Sequence, residues 1–365
     1  MSKALNILER KLGSEGKSSV ELGTESNVIS AKNLTSKLKG KKVVLFAGAG
    51  FSMAWNSKYP SGYKLFSVDN IEKLKKSYNF FSVAPLLCIK EPQGKGKAYE
   101  KDCIRFFKEI KFHLDIYKRY PSLLPNYLDK TIVYNLEREI IDFVKNRFVS
   151  LTDKVEFDVE DSSTQNENIK NIIVKLMNVN SSLSFITTNY DFIFEKIFNN
   201  SDVTIVRGVI DKRSFENVEL TKPRVSLFKI NGGFDVFKDN NGFYIDHADS
   251  LSGTPNIILP SQEQNYDNNY FKSVFTKSAN KLRDADILIF VGYSLPNEDH
   301  TIRFLLKNFL DSEGCDEKEV FIISKDLTSA LETYPNVASL FPSLDEKEAV
   351  RALDGDLESL LPHLS

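Results

Sequence analysis

Four short polar stretches, each directly after an apolar run, hold the residue types in this chain that could do chemistry. The first is Gly48-Ala49-Gly50-Phe51-Ser52, which follows the strand-like run from Val43. Glycines at such a place let the backbone turn sharply and approach a ligand, because no Cβ intervenes. The first N–H groups of a following helix are then expected to face a phosphate, with Ser52 where that helix could begin. As a dinucleotide fingerprint the stretch is incomplete. Ala54 stands near the place of the third glycine, and Asp69 and Glu72 lie at the distance of the ribose-binding acid with no clear second strand to deliver them. A tight turn in any α/β protein is the equal alternative.

The second stretch, Thr188-Asn189-Tyr190-Asp191, offers an amide and a carboxylate, and the third is Asn231-Gly232-Gly233. The fourth is Gly292-Tyr293-Ser294, followed by Pro296-Asn297-Glu298-Asp299-His300. Each has a plainer reading. Asn189 and Asp191 suit the cap of a helix from Phe192, the glycine pair suits a hairpin, and Pro296 to Asp299 is a generic helix start. Together they make four polar segments at the carboxyl ends of strands, where open parallel sheets bind ligands.

The elements that would position them alternate. Strands are expected at Val43 to Ala47, Leu183 to Thr188, Val203 to Val206, Val225 to Ile230, Ile257 to Leu259, Ile287 to Val291 and Val320 to Ile323. Helical spacing lies between several of them, at Phe192 to Phe198, Tyr270 to Leu282 and Thr301 to Leu310. This predicts an α/β fold, a doubly wound Rossmann-like parallel sheet. Cys103 to Tyr120, Ile132 to Phe148 and Asn168 to Met177 read as helices of an insertion over about 69–179, with Leu151 to Glu167 an exposed connection. Trp55 to Ser67 reads either as a loop folding over a ligand or as a plain surface loop. Residues 1–40 are expected to form an arm: a short helix at Ala4 to Leu12, a mobile linker from Gly13 to Ser30, and a second helix at Ala31 to Leu38. Residues 41–365 form the main domain.

Composition bounds the function. The chain has 365 residues, and 48 basic against 50 acidic side chains give a net charge of −2. That balance argues against nucleic-acid binding by bulk electrostatics. Three widely spaced cysteines with no C-x-x-C pair exclude a structural zinc ribbon and fit a reduced cytoplasm. No signal-like segment or bilayer-length apolar run occurs, so a cytoplasmic protein with no membrane and no metal is expected.

The motif set resembles the sirtuin-like proteins, specifically the bacterial branch that degrades NAD in antiphage defence. G-A-G-x-S is matched by Gly48 to Ser52, T-x-N-x-D by Thr187 to Asp191, and G-Y-S-L-P by Gly292 to Pro296, with Asp299, His300 and Arg303 after it. The resemblance runs over roughly residues 41–323 and implies NAD as substrate. It implies Gly48, Ala49, Gly50, Ser52, Thr188, Gly292, Tyr293, Ser294 and His300 on the nucleotide, and Asn189, Asp191 and Asn231 at the reacting bond. There is one departure. The family has K-L-H-G-S with a catalytic histidine, and this chain has Lys229-Ile230-Asn231-Gly232-Gly233. An amide cannot take a proton near neutral pH.

Three readings of Asn231 stand: activity without that base, a binding-only relative, or a replacement that traps ligand. The leading expectation is an NAD glycohydrolase, weakened by Asn231, and the alternative is a non-catalytic NAD or ADP-ribose sensor or scaffold. A deacylase lacks its zinc cysteines, and a dehydrogenase lacks its ribose acid. His300 is an outside chance as a substitute base, and Glu263 and Asn265 are weak candidates for the cleft. With only about forty residues after Ile323, control is expected from self-assembly into a homo-oligomer or from a separate partner, a HerA-class ATPase being the one the resemblance suggests.

Overall fold

The computed structural model describes residues 27–364 apart from 61, 69–70, 95, 153–163, 199–202, 210–222, 241, 247–252, 261–263, 313 and 315–316. Eight strands form one sheet. They are β1 (Val28–Ile29), β2 (Lys42–Ala47), β3 (Ser182–Thr187), β4 (Thr204–Val206), β5 (Arg224–Lys229), β8 (Ile287–Val291), β9 (Glu319–Ile323) and β10 (Val350–Leu353). Their order is β1-β10-β9-β8-β2-β3-β5-β4, with every pairing parallel. A separate antiparallel hairpin joins β6 (Val236–Asp239) to β7 (Gly242–Ile245).

The central strand explains the layering. From Val43 onward β2 is buried throughout, as expected of a parallel strand covered on both faces. Val43, Leu45 and Ala47 face one core, and Val44 and Phe46 face the other. The first core is closed by α1 (Ala31–Leu38), α2 (Ala49–Trp55), α3 (Gly96–Arg119), α4 (Lys130–Thr152), α5 (Thr164–Val179) and α6 (Ile193–Phe198). Phe107 of α3 stacks on Phe143 of α4 at 4.7 Å. The second core is closed by α7 (Asn269–Asp284), α8 (His300–Leu306) and α9 (Leu327–Ala338). The fold is the doubly wound Rossmann-like sheet with a helical insertion between its central strands.

Several expectations change. Val28–Ile29, expected within a mobile linker, is a strand in register with Ala352 and Leu353. Ser30 then caps α1, accepting from Asn33 N at 3.3 Å, and Leu34 and Leu38 anchor that helix in the core. Ile257 to Leu259 is not a strand; Ile257 makes one bridge to Gly232. The expected helix at Ala4 to Leu12 and most of the 151–167 connection lie outside the described residues.

The segment after Ile323 is part of the sheet. β10 pairs with β9 on one side and β1 on the other, and α9 buries Ala330, Tyr334 and Val337 over it. Each large side chain buried this way is worth about 1.5–3 kcal/mol, against a total stability of about 5–15 kcal/mol. A chain cut after Ile323 is therefore expected to lose cooperative thermal unfolding and most of its soluble yield. An unchanged melting curve would refute that.

Candidate functional site

The chain reverses direction across the sheet at β2, with β3 on one side and β8 on the other. Crevices form at such switch points beyond the carboxyl ends of strands. Here the crevice is a cleft of about 640 Å³ bordered by the ends of β2, β3, β5, β8 and β9.

The glycine turn after β2 is built differently from the sequence expectation. Helix α2 starts at Ala49, so Ser52 lies in its first turn and is buried. The expected free amides are largely taken. Gly48 N donates to Val291 O at 3.0 Å, Gly50 N to Gly292 O at 2.8 Å, and Phe51 N to Gly48 O at 3.0 Å. The turn is locked to the end of β8 by main-chain hydrogen bonds. Its glycines serve that approach: a Cβ on Gly48 would lie 2.7 Å from Gly292 O, and one on Gly50 2.7 Å from Gly292 Cα. Gly292 is the third member, at φ +60°. Ala49 and Gly50 line the cleft, whereas Gly48 is outside its lining.

Beside this turn, Ser52 meets two side chains that follow β3, Asn189 and Asp191. Thr187 Oγ1 bonds Ala47 O at 3.0 Å and accepts from Asn189 N at 3.0 Å, which fixes the chain as it leaves β3. Asn189 Nδ2 then donates to Gly48 O and to Ser52 Oγ, both at 2.8 Å. A carbonyl only accepts, so the amide nitrogen must face the turn, and Asn189 Oδ1 is left as an acceptor at the cleft. Ser52 Oγ donates to Asp191 Oδ2 at 2.5 Å, and Asp191 Oδ1 accepts from Ile193 N at 3.1 Å. The capping role open to Asp191 is thus real, and coexists with the Ser52 contact. Burial pushes the Asp191 carboxyl above the usual carboxylate range, against the pull of Lys229 and the Ser52 hydroxyl.

Asn231, after β5, is buried beside the same segment and also lines the cleft. Its Oδ1 accepts from Tyr266 OH at 2.8 Å, and its Nδ2 points toward Thr188 O at 3.5 Å. The Tyr266 hydroxyl is also 3.1 Å from Gln264 Oε1. At the β8 end, Tyr293 OH donates to Asp299 Oδ2 at 2.5 Å. Burial raises the Asp299 carboxyl, and the Tyr293 hydrogen bond works the other way.

The cleft brings together Ala49, Gly50, Ser52, Thr188, Asn189, Asp191, Asn231, Gly292, Tyr293 and Ser294. His300 is not among them: it is the exposed first residue of α8 and does not line the cleft. Asn265 spends its carbonyl on Asp267 N at 2.8 Å and does not line the cleft either, and Glu263 lies outside the described residues. Residues not assigned to the site from sequence complete the walls, although Asp299 and the Trp55 to Ser67 loop stand out in the sequence. Tyr59, Pro60 and Leu65 come from the loop after α2, Phe148 from α4, Gln264 from the segment before α7, Asp299 from the stretch before α8, and Ser329, Glu332 and Thr333 from α9. Only the loop after α2 and the Pro296–His300 stretch carry a signal for this in sequence. Among the described lining residues the charged side chains are all carboxylic: Asp191, Glu298, Asp299 and Glu332. No helix of the described residues is long and apolar enough to cross a membrane.

No curated protein matches this chain significantly. Similar solved structures include one described as the structural basis for the mechanism and regulation of Sir2 enzymes, with 13% identity and TM-score 0.40 over 92% of this chain and 95% of that one. A Sir2 homologue mutant in complex with ADP-ribose has 13% identity and TM-score 0.40, covering 91% of this chain and 96% of that one. A Sir2 homologue in complex with NAD has 12% identity and TM-score 0.39, covering 91% and 93%. Within the chain itself, residues 183–341, which run from β3 past α9 and carry Asn189, Asp191, Asn231 and Gly292, match the model of the SIR2-like domain.

Proposed function

We propose that the cleft binds NAD and hydrolyses its nicotinamide–ribose bond, giving nicotinamide, ADP-ribose and a proton. The observation that carries this reading is the locked Asn189 amide: its nitrogen is fixed by two hydrogen bonds, which leaves Oδ1 as the acceptor of a residue lining the cleft. Nicotinamide leaves as a neutral base from a cationic ring, so its departure requires no acid. The ribose then resembles an oxocarbenium ion, as in glycoside hydrolysis. Asn189 Oδ1 is suited to hold the attacking water, and the buried Asp191 carboxylate supplies negative charge below the developing cation. Asn231 offers the cleft an N–H donor and no base, so the water's proton leaves to solvent and the reaction is slow. Thr188, Gly292, Tyr293 and Ser294 are assigned to the rest of the dinucleotide.

In a cell this activity would deplete NAD, and we read its setting as antiphage defence. Control would come from homo-oligomer assembly or a separate partner such as a HerA-class ATPase. A second reading has its own support: with Asn231 Oδ1 engaged by Tyr266, the site suits a module that binds NAD or ADP-ribose and leaves it intact.

The test is nicotinamide release from NAD, without any acylated peptide, by this chain and by Asn189→Ala. Loss of the water-holding acceptor is expected to reduce release by about 10²-fold. Intact NAD in both samples, with NAD still bound, would favour the binding module.

A further inference from the structure

Directly beneath the cleft four charged side chains are buried together. Lys229 ends β5, Glu195 lies on α6, Arg207 follows β4 and Asp235 precedes β6, with exposures of 1, 2, 6 and 0%. Arg207 donates to Asp235 at 2.6 and 3.1 Å and also to Glu195. Lys229 Nζ lies 2.7 Å from Glu195 Oε1 and donates to the main-chain oxygen of Asp191 at 2.5 Å. Gly233 has no side chain where this group needs room: a Cβ there would lie 2.5 Å from Asp235 Oδ1 and 3.0 Å from Lys229 Cδ.

Two cations here face three anions once Asp191 is included, and Lys229 is the cation turned toward Asp191. Burying such a network costs about as much in desolvation as its attractions return, and well-packed apolar side chains often do as well. Stability alone therefore gives a weak account of it. What the network does is join the ends of β3, β4 and β5 at one point below the cleft.

We propose that Lys229 is a positioning residue for the cleft: held by Glu195, Arg207 and Asp235, it fixes the Asp191 main chain and keeps the Asp191 carboxylate charged, and so sets Ser52 and Asn189. The catalytic consequence rests on the NAD reading; the electrostatic one does not. The groups facing the Asp191 carboxyl are the Ser52 hydroxyl from α2, Ile193 N and Glu195 from α6, and Lys229 from β5. Burial and Glu195 favour the protonated carboxyl, while Lys229, Ser52 and Ile193 N favour the carboxylate. Without Lys229 the balance moves toward the acid. A proton on Asp191 Oδ2 can be donated to Ser52 Oγ, reversing the present bond and competing with Asn189 Nδ2 for that oxygen, so the chain of bonds that orients Asn189 is weakened.

The experiment uses the full chain with Lys229→Met, Lys229→Arg and the pair Lys229→Met/Glu195→Gln, which keeps the buried charges matched. The Asp191 carboxyl is followed by carbon-13 NMR, assigned through Asp191→Asn, beside the pH profile of nicotinamide release. In Lys229→Met the carboxyl is expected to titrate about one pH unit higher or more, and in the pair to move up by less, because losing Glu195 acts in the opposite direction. Release is expected to fall about 10²-fold in kcat, with its acid limb displaced to higher pH, and Lys229→Arg is expected to restore both. An unmoved Asp191 titration in folded Lys229→Met, or in the pair measured against Glu195→Gln alone, would overturn the proposal and leave the network a structural one. If no protein in the set, wild type included, releases nicotinamide, the NAD reading fails while the NMR titration still decides the role of Lys229.

Discussion

With the proposed NAD hydrolysis, Asn231→His is expected to raise nicotinamide release by about 10²- to 10⁴-fold, the usual contribution of a positioned general base. The neighbourhood of Asn231 shows how an imidazole would be used. The Tyr266 hydroxyl has two acceptors in reach, Asn231 Oδ1 at 2.8 Å and Gln264 Oε1 at 3.1 Å. With asparagine present it donates to the amide oxygen. With histidine it can turn its proton to Gln264 and accept from one ring N–H, which leaves the other ring nitrogen unprotonated at the cleft. In the proposed hydrolysis that nitrogen would take the water proton that Asn231 cannot accept. Two measurements check the argument. Release by Asn231→His should fall when Tyr266→Phe is added, because the ring tautomer is no longer set. NAD that binds to Asn231→His and stays intact would instead establish a binding module.

How much of this is legible in the sequence depends on how each element is stabilised. β2, β3, β5 and β8 are covered on both faces, so they read as apolar runs, and α/β alternation follows from them. β1 has two residues and β10 reads Val-Arg-Ala-Leu; both exist because neighbours in the sheet accept them, and short edge pairing leaves no periodic signal. α9 is masked by Pro335 inside it, a residue that normally ends a helix. The β6–β7 hairpin did carry a signal, the polar Asp239-Asn240-Asn241-Gly242 run between two apolar runs.

The site divides in the same way. Ser52, Asn189 and Asp191 stand out as polar residues after strands, but spacing cannot say that two of them share a hydroxyl 137 and 139 positions away. Tyr266 gives no sequence signal at all, since a lone tyrosine between polar residues has no period. His300 shows the opposite error: next to a motif, yet exposed and outside the cleft. Motif adjacency gives chain position, and only packing gives direction.

The glycines illustrate the last point and yield the second large effect. Sequence logic assigns Gly48, Gly50 and Gly292 to the approach of a ligand, whereas their missing side chains make room for one another. Gly292→Ala is expected to destabilise the chain by about 3 kcal/mol and lower Tm by roughly 4 °C. Two costs add. The residue is at φ +60°, where a Cβ is strained, and that Cβ would lie 2.5 Å from Gly50 C and also against Phe51 N. Those atoms are main chain and cannot rotate away, so the turn itself must retreat from β8. Retreat breaks the Gly50 N to Gly292 O bond of 2.8 Å and carries Gly48 O away from Asn189 Nδ2. The Asn189 amide then loses one of its two restraints, so nucleotide binding should weaken along with stability. Gly314→Ala is the control. It has a similar φ of +75° with nothing within 4 Å of its Cβ, so it carries the backbone strain alone. A Gly292→Ala protein that melts like Gly314→Ala and binds nucleotide normally would show that the interlocked turn is dispensable.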